Sequence, residues 1–158
     1  MMQAMRDGHS DGWTRDLAER LAAEPGWRVP LGEALDRFYH LWPDVEAMAG
    51  ALAEPPTAAM PDFQSALHAA VVEQLALQWG IPEPPWVVGA GYGLTRATTL
   101  APPWFPAERL RGGPEPFARR LILTEPDPLR RARRPICALP RPIARPPDPR
   151  FAPKSNPT

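Results

Sequence analysis

The side chains that most often carry out chemistry in proteins are few and widely spaced in this chain. His9, His40 and His68 match no HExxH or paired-histidine spacing, and no CxxC is present, so the sequence does not indicate a metal site. The single cysteine, Cys137, excludes an intramolecular disulfide and lies in a proline-rich stretch that offers no activating base. We therefore expect no catalytic residue, no cofactor site and no metal site, and a protein that is not an enzyme.

Glycines alternate at Gly89, Gly91 and Gly93, as they do in some loops that cradle a phosphate. A dinucleotide-binding loop also needs a strand before it and a helix after it. Residues 86–88 make a poor strand, Pro102-Pro103 follows before a helix can develop, and the Walker lysine is absent. The glycines therefore predict a surface loop.

Four arginines of the second half, Arg119, Arg120, Arg130 and Arg131, are candidate partner-binding residues. Arginine forms bidentate contacts with carboxylates and phosphates, so these side chains suit either an acidic protein surface or a nucleic-acid backbone. The run 130–134 has no interleaved aromatic residues, so it does not indicate a sequence-specific reader of bases. A solvated charge run beside a disordered tail is a third interpretation, and the sequence leaves it open.

Two proline–aromatic clusters, Pro85-Trp86 and residues 102–105, add Trp86, Trp104 and Phe105 to the candidate partner-binding set. Burying a tryptophan removes roughly 150–250 Å² from water. Outside regular structure such side chains usually lock a loop onto the domain, and we favour that role. The alternative is an interface anchor, because tryptophan and arginine dominate binding hot spots.

The formal net charge of +0 hides a division between the two halves of the chain. Residues 1–78 carry five basic and twelve acidic side chains, whereas residues 79–158 carry thirteen basic and six acidic ones. Such an asymmetry indicates either an interaction surface or two halves that attract each other within one fold.

Prolines and apolar spacing divide the first half into four predicted helices. In the third helix we expect Val45, Met48 and Leu52 to face inward. The fourth is the clearest, because its apolar residues recur every four positions and Gly80 suits a left-handed cap. Its stripe consists of Phe63, Leu67, Val71 and Leu75. The helices are predicted from residue 10 or 11 to before Pro25, from Pro30 to Leu41, from Pro43-Asp44 to before Pro55, and from Pro61 to Trp79.

Most of the 24 prolines lie after Gly80, where helical spacing is lost. There we predict an extended, polyproline-like segment at 81–86, a loop at 87–100, a short strand at 121–124 and a short helix at 129–134. The predicted fold is thus mainly α: a four-helix N-terminal part, then a proline-rich extended wrap, a short strand and a short helix.

The predicted domain organisation has three parts. Residues 1–10 are a disordered start, residues 11–134 form a single mainly helical domain, and residues 135–158 are a disordered tail rich in proline and arginine. The sequence contains no apolar run long enough for a membrane span and no hydrophobic signal-peptide stretch. We therefore expect no membrane partner and a cytoplasmic location.

The stretch from about Leu31 to Ala132 resembles a family of uncharacterised proteins from high-GC bacteria. The shared pattern is a helix ending Glu-x-Leu-Ala, a Gly-hydrophobic-Pro-x-Pro-x-Trp step, a Pro-Trp-Phe motif, a Phe-x-Arg-Arg-x-hydrophobic segment and a short closing helix. The corresponding residues here are 73–76, 80–86, 103–105, 117–122 and 128–132.

Relatives of this kind tend to be encoded beside nucleotidyltransferase-like toxins, and some carry an N-terminal helix-turn-helix domain. The resemblance therefore implies an antitoxin-like or regulatory accessory protein with a protein partner. This chain departs from the pattern, because residues 43–54 carry three acidic and no basic side chains, which does not suit a DNA-recognition helix.

The alternative function is a nucleic-acid-associated regulator that uses the C-terminal arginines on phosphates.

Overall fold

A computed structural model describes residues 12–89, 93–102, 104–132 and 134–135. The first half forms the four predicted helices, α1 (Trp13–Ala23), α2 (Arg28–His40), α3 (Val45–Ala53) and α4 (Asp62–Trp79). The second half adds 3-10 helices at Pro85–Val88 and Ala107–Gly112, strands β1 (Thr98–Thr99) and β2 (Ile122–Leu123), and the short helix α5 (Glu115–Ala118). The predicted mainly α fold is confirmed.

Local signals set the ends of the helices. The Asp44 carboxylate accepts a hydrogen bond from the Ala47 amide at 3.0 Å, which satisfies one of the amides that the start of α3 leaves without a helical partner. Gly80 ends α4 with φ of +66°, in the left-handed conformation that glycine adopts at little cost. These two boundaries follow from the residues that predicted them, whereas α2 starts at Arg28, two residues before the predicted start at Pro30.

Helix α4 lies at the centre of the fold, and it is buried on more than the one face that its apolar stripe predicted. Leu67, Val71 and Leu75 are fully buried, as their spacing predicts. Residues 66–73 are also all buried, so α4 is covered on every side along this stretch. Alanines, valines and Leu67 supply most of the surface buried here, while the two buried polar residues, His68 and Glu73, have partners inside the fold.

The hydrophobic cluster runs from Trp13 to Leu129, so the second half of the chain contributes to the same core as the helices. The Trp13 indole donates to the Ala34 carbonyl at 2.8 Å and its ring packs against Phe38. From the second half, Phe117 and Leu129 reach the cluster with at most 1% exposure.

Two predictions need correction, one in helix α3 and one in the segment after Gly80. Val45 does not face inward: it occupies the first position of α3 and is 55% exposed. Met48 and Leu52 of the same helix are fully buried, as predicted. Trp86 lies in the Pro85–Val88 3-10 helix, and only residues 81–84 of the predicted extended segment lack regular structure.

The predicted strand at 121–124 is confirmed, with β2 at Ile122–Leu123, but its partner was missed. Strand β1, in the predicted loop 87–100, pairs with β2 in parallel, with Thr98 beside Ile122 and Thr99 beside Leu123. Two residues are too short for an alternating pattern to be visible in the sequence.

The predicted helix at 129–134 is wrong. Residues 128–129 form a turn, and the Leu129 carbonyl accepts a hydrogen bond from the Tyr39 hydroxyl at 2.8 Å instead of a helical amide. The short helix of this region is α5, which starts after Pro114. Predictions for residues 1–10 and 136–158, including Cys137 and most of the tail, lie outside the described residues.

We expect Gly113→Ala to destabilise the fold by about 1–3 kcal/mol, because overpacking a close contact costs this much. A Cβ atom at Gly113 would lie 2.9 Å from the Thr124 backbone carbonyl, and that backbone cannot move aside like a flexible side chain. Urea unfolding measures the change. Gly26→Ala is the control, because a Cβ there meets nothing within 4 Å. Equal stabilities for the two variants would contradict the close approach.

Candidate functional site

Arg120 lies inside the fold, 5% exposed. Its guanidinium donates to the Glu73 carboxylate at 2.7 Å, to the Pro116 carbonyl at 2.7 Å and to the Val87 carbonyl at 2.6 Å. Burial lowers the pKa of Arg120, and the nearby Glu83 carboxylate opposes this effect. These bonds join α4, α5 and the 3-10 helix that contains Val87.

Arg119 lies beside Arg120 and also pairs with Glu73, while a second carboxylate, that of Glu83, lies 3.6 Å away. Glu73 is itself only 3% exposed, so its carboxylate accepts from two guanidinium groups in a place that water hardly reaches. Two of the four candidate arginines are therefore paired within the fold.

Arg131 forms a bidentate pair with Asp36, at 3.0 and 2.8 Å. The pair fastens the C-terminal segment to α2, and the hydrogen bonds to Asp36 raise the pKa of Arg131. Gly32 makes room for this guanidinium, because a Cβ there would lie 2.9 Å from it. Arg130 is exposed and takes part in no ion pair among the residues that the structure describes.

The two aromatic clusters have different surroundings. The Trp86 indole donates to the Leu52 carbonyl at 3.2 Å and its ring centroid lies 5.6 Å from that of His68. Trp86 thus packs onto the helical core. Trp104 is 80% exposed, and its ring lies beside that of Phe105, with 6.4 Å between the ring centroids.

A groove of about 360 Å³ brings Trp104, Phe105, Arg130 and Arg131 together. One wall is the start of α2, which contributes Arg28, Leu31 and Leu35. The other walls are the segments that directly follow the two strands, residues 100–102 after β1 and residues 124–125 after β2. The groove therefore lies at the carboxyl ends of the two parallel strands.

Trp27 and Arg28 are among the groove residues that local sequence patterns did not indicate. The Arg28 guanidinium lies 4.7 Å from the centroid of the Trp27 ring and donates to the Leu100 carbonyl at 3.2 Å. This contact spans 72 residues of sequence, so no local spacing could have revealed it. Trp86, Arg119 and Arg120 lie outside the groove lining.

His68 is a polar side chain buried beside Trp86, with 0% exposure. Its Nε2 lies 2.8 Å from the Thr14 carbonyl, which assigns the proton to this nitrogen, while Nδ1 has no partner among the described residues. Burial lowers the pKa of His68 to about 4, against the smaller opposing effect of the bond to Thr14. His68 is therefore neutral at pH 7.

No group of three His, Cys, Asp or Glu side chains in the described ranges is arranged to hold a metal ion. Among the helices that the structure describes, none is both long and apolar enough to cross a membrane. Comparison with known proteins gives no match to a family model, a curated protein sequence or a solved structure.

We expect Glu73→Gln to destabilise the protein by about 3–5 kcal/mol, because it leaves the buried Arg120 charge without its carboxylate. Glu83→Gln is the matched control: Glu83 is 43% exposed and 3.6 Å from Arg119, so its loss changes stability by less than about 1 kcal/mol. Chemical denaturation of both variants provides the measurement. The prediction fails if Glu73→Gln unfolds at the same denaturant concentration as Glu83→Gln.

The buried His68 predicts a loss of stability in mild acid. Since its folded pKa, about 4, is lower than the value of about 6.5 in the unfolded chain, the unfolded state gains a proton first as the pH falls. Stability drops by about 3 kcal/mol between pH 6.5 and 4 and changes no further from this group below pH 4.

Unfolding free energies measured at several pH values, compared between the native protein and His68→Gln, isolate this effect. The glutamine amide can still donate to the Thr14 carbonyl, and the difference in pH dependence reports the imidazole alone. His40→Gln is the control, because His40 is exposed. Parallel pH profiles for the native protein and His68→Gln would rule out a buried neutral histidine.

Proposed function

We propose that the protein is a non-enzymatic partner-binding protein, an antitoxin-like or regulatory accessory factor, and that it binds a protein partner at the groove. The observation that carries this proposal is Trp104, which is 80% exposed at the groove edge. Covering a tryptophan removes roughly 150–250 Å² from water, a gain of roughly 4–6 kcal/mol before the costs of association. An exposed tryptophan next to an arginine is typical of a binding hot spot.

The surroundings of Trp104 support an interface more than a catalytic centre. Arg130 and Phe105 lie at the same groove, so an aromatic pair and a cation are available to one partner surface. The most buried titratable cluster, around Glu73, lies elsewhere, and its groups are occupied with one another. The chemistry at the groove is therefore that of recognition.

Ion pairing favours a protein partner over nucleic acid. A phosphate-binding surface needs several cations that exchange their counterions for phosphates. Of the four candidate arginines, Arg119 and Arg120 share Glu73, and Arg131 is held by Asp36. Within the described part of the chain, Arg130 is the one member of the four that forms no ion pair, and a single free charge suits a carboxylate of a protein better than a nucleic-acid backbone.

A nucleotidyltransferase-like toxin encoded by a neighbouring gene is the partner that the family resemblance implies. Under this proposal the protein binds its partner in the cytoplasm, and the residues around the groove contact part of the toxin surface. The nucleic-acid alternative would instead place duplex or single-stranded DNA against Arg130 and the exposed arginines near it.

Co-expression with the product of the neighbouring gene tests the proposal. We expect a complex that survives purification, and we expect Trp104→Ala to weaken it at least about tenfold, a loss of 1.4 kcal/mol. Val88→Ala is the matched control, because Val88 is 66% exposed but does not line the groove. Calorimetric titration of the purified components gives the affinities.

Two outcomes count against the proposal. A native protein that forms no complex with the neighbouring gene product would contradict it. Retention on DNA at about 50 mM salt, weakened by Arg130→Ala and unaffected by Trp104→Ala, would support the nucleic-acid alternative in its place, because electrostatic binding is strong at low salt.

A further inference from the structure

The groove walls carry an excess of positive charge. Arg28, Arg130 and Arg131 line the groove together with a single acidic residue, Glu125. Asp36 neutralises Arg131 through its bidentate contact. Within the described part of the chain, Arg28 and Arg130 form no ion pair with a carboxylate, so the groove lining carries two such guanidinium groups and one carboxylate, that of Glu125.

The apolar surface of the groove lies between these charges. Leu31 and Leu100 are 4% and 8% exposed, so they form its floor, and Trp104 stands at its edge. Arg28 cannot withdraw from this surface without cost, because it packs on the Trp27 ring and donates to the Leu100 carbonyl. A ligand therefore meets an apolar floor with positioned cations beside it.

The charge of the chain's own C-terminal segment argues against that segment as the occupant. Residues 136–158 carry Arg141, Arg145, Arg150 and Lys154 against one acidic residue, Asp148. Like charges lower the affinity of such a segment for a cationic groove, whereas an acidic segment is attracted.

From this complementarity we infer that the groove binds an acidic segment of the partner protein, one with an aliphatic or aromatic side chain next to glutamate or aspartate. The apolar side chain packs against Trp104 and the groove floor, and a carboxylate accepts hydrogen bonds from Arg130 or Arg28. The inference rests on the proposed function, since it names the part of the partner that the groove receives.

Fluorescence anisotropy with synthetic peptides tests the inference on the full-length protein. The probe is a labelled short peptide of alternating glutamate and leucine, and its counterpart has glutamine in place of every glutamate. We expect the acidic peptide to bind at least about tenfold more tightly than the glutamine peptide at low salt, since charge-assisted hydrogen bonds add to the same apolar contacts. The preference should shrink as salt is raised.

Variants locate the binding. Arg130→Glu should abolish the preference for the acidic peptide, whereas Arg96→Glu, the same charge change at an exposed arginine outside the groove lining, should retain it. Trp104→Ala should weaken the binding of both peptides, because it removes the apolar contact that they share.

The outcomes separate this inference from the proposed function. Equal binding of both peptides, or no binding of either, overturns the acidic-segment inference, while a Trp104-dependent complex with the neighbouring gene product would still uphold the function. Tighter binding of a peptide with the sequence of residues 136–158 would make the chain's own segment the occupant. Displacement of the acidic peptide by an oligonucleotide but not by the partner, or Trp104-dependent self-association, would likewise overturn it.

Discussion

The attachment of the second half of the chain to the helices depends on one buried carboxylate. Glu73, in the middle of the central helix, accepts from both Arg119 and Arg120, and Arg120 also satisfies the Val87 and Pro116 carbonyls. Removing such charges from water is costly, and the cost is offset only if every polar group finds a partner. The cluster therefore constrains how α5 and the Pro85–Val88 3-10 helix lie on α4. Strand β2 follows α5 directly, so the position of the groove depends on the same constraint.

The opposite charges of the two halves have an explanation within the chain. Glu73 with Arg119 and Arg120, and Asp36 with Arg131, all join an acidic residue of the first half to arginines of the second half. Of the two interpretations that the composition left open, attraction between the halves thus accounts for three of the four candidate arginines. Of the four, Arg130 is left without an ion pair among the described residues, and it lines one groove together with Arg28 and the exposed Trp104. The proposed binding function is assigned to this groove and does not need the charge asymmetry as a whole.

Features encoded by neighbouring residues could be predicted from the sequence, and features encoded by distant ones could not. The four long helices follow from prolines, caps and apolar spacing, all within a few turns of the residues concerned. Leu129 looked helical by the same rules, but its carbonyl bonds to Tyr39, 90 residues away. Glu73 was not among the candidate residues, because its two arginines come more than 40 residues later. Only a few groove residues were predictable, because Trp104 and Arg130 stand out by type and context, whereas Arg28 becomes a groove residue through its contact with Leu100.

Hydrogen exchange in the complex with the neighbouring gene product tests most directly whether the groove is the binding surface. Amides that a partner covers exchange more slowly, and the rate is read along the whole chain. A partner bound at the groove slows exchange in residues 100–105 and 124–131 and at the start of α2, and leaves the rates unchanged in α4, which is already buried. Protection confined to α1 and α3, with no change at Trp104 and its neighbours, would contradict binding at the groove.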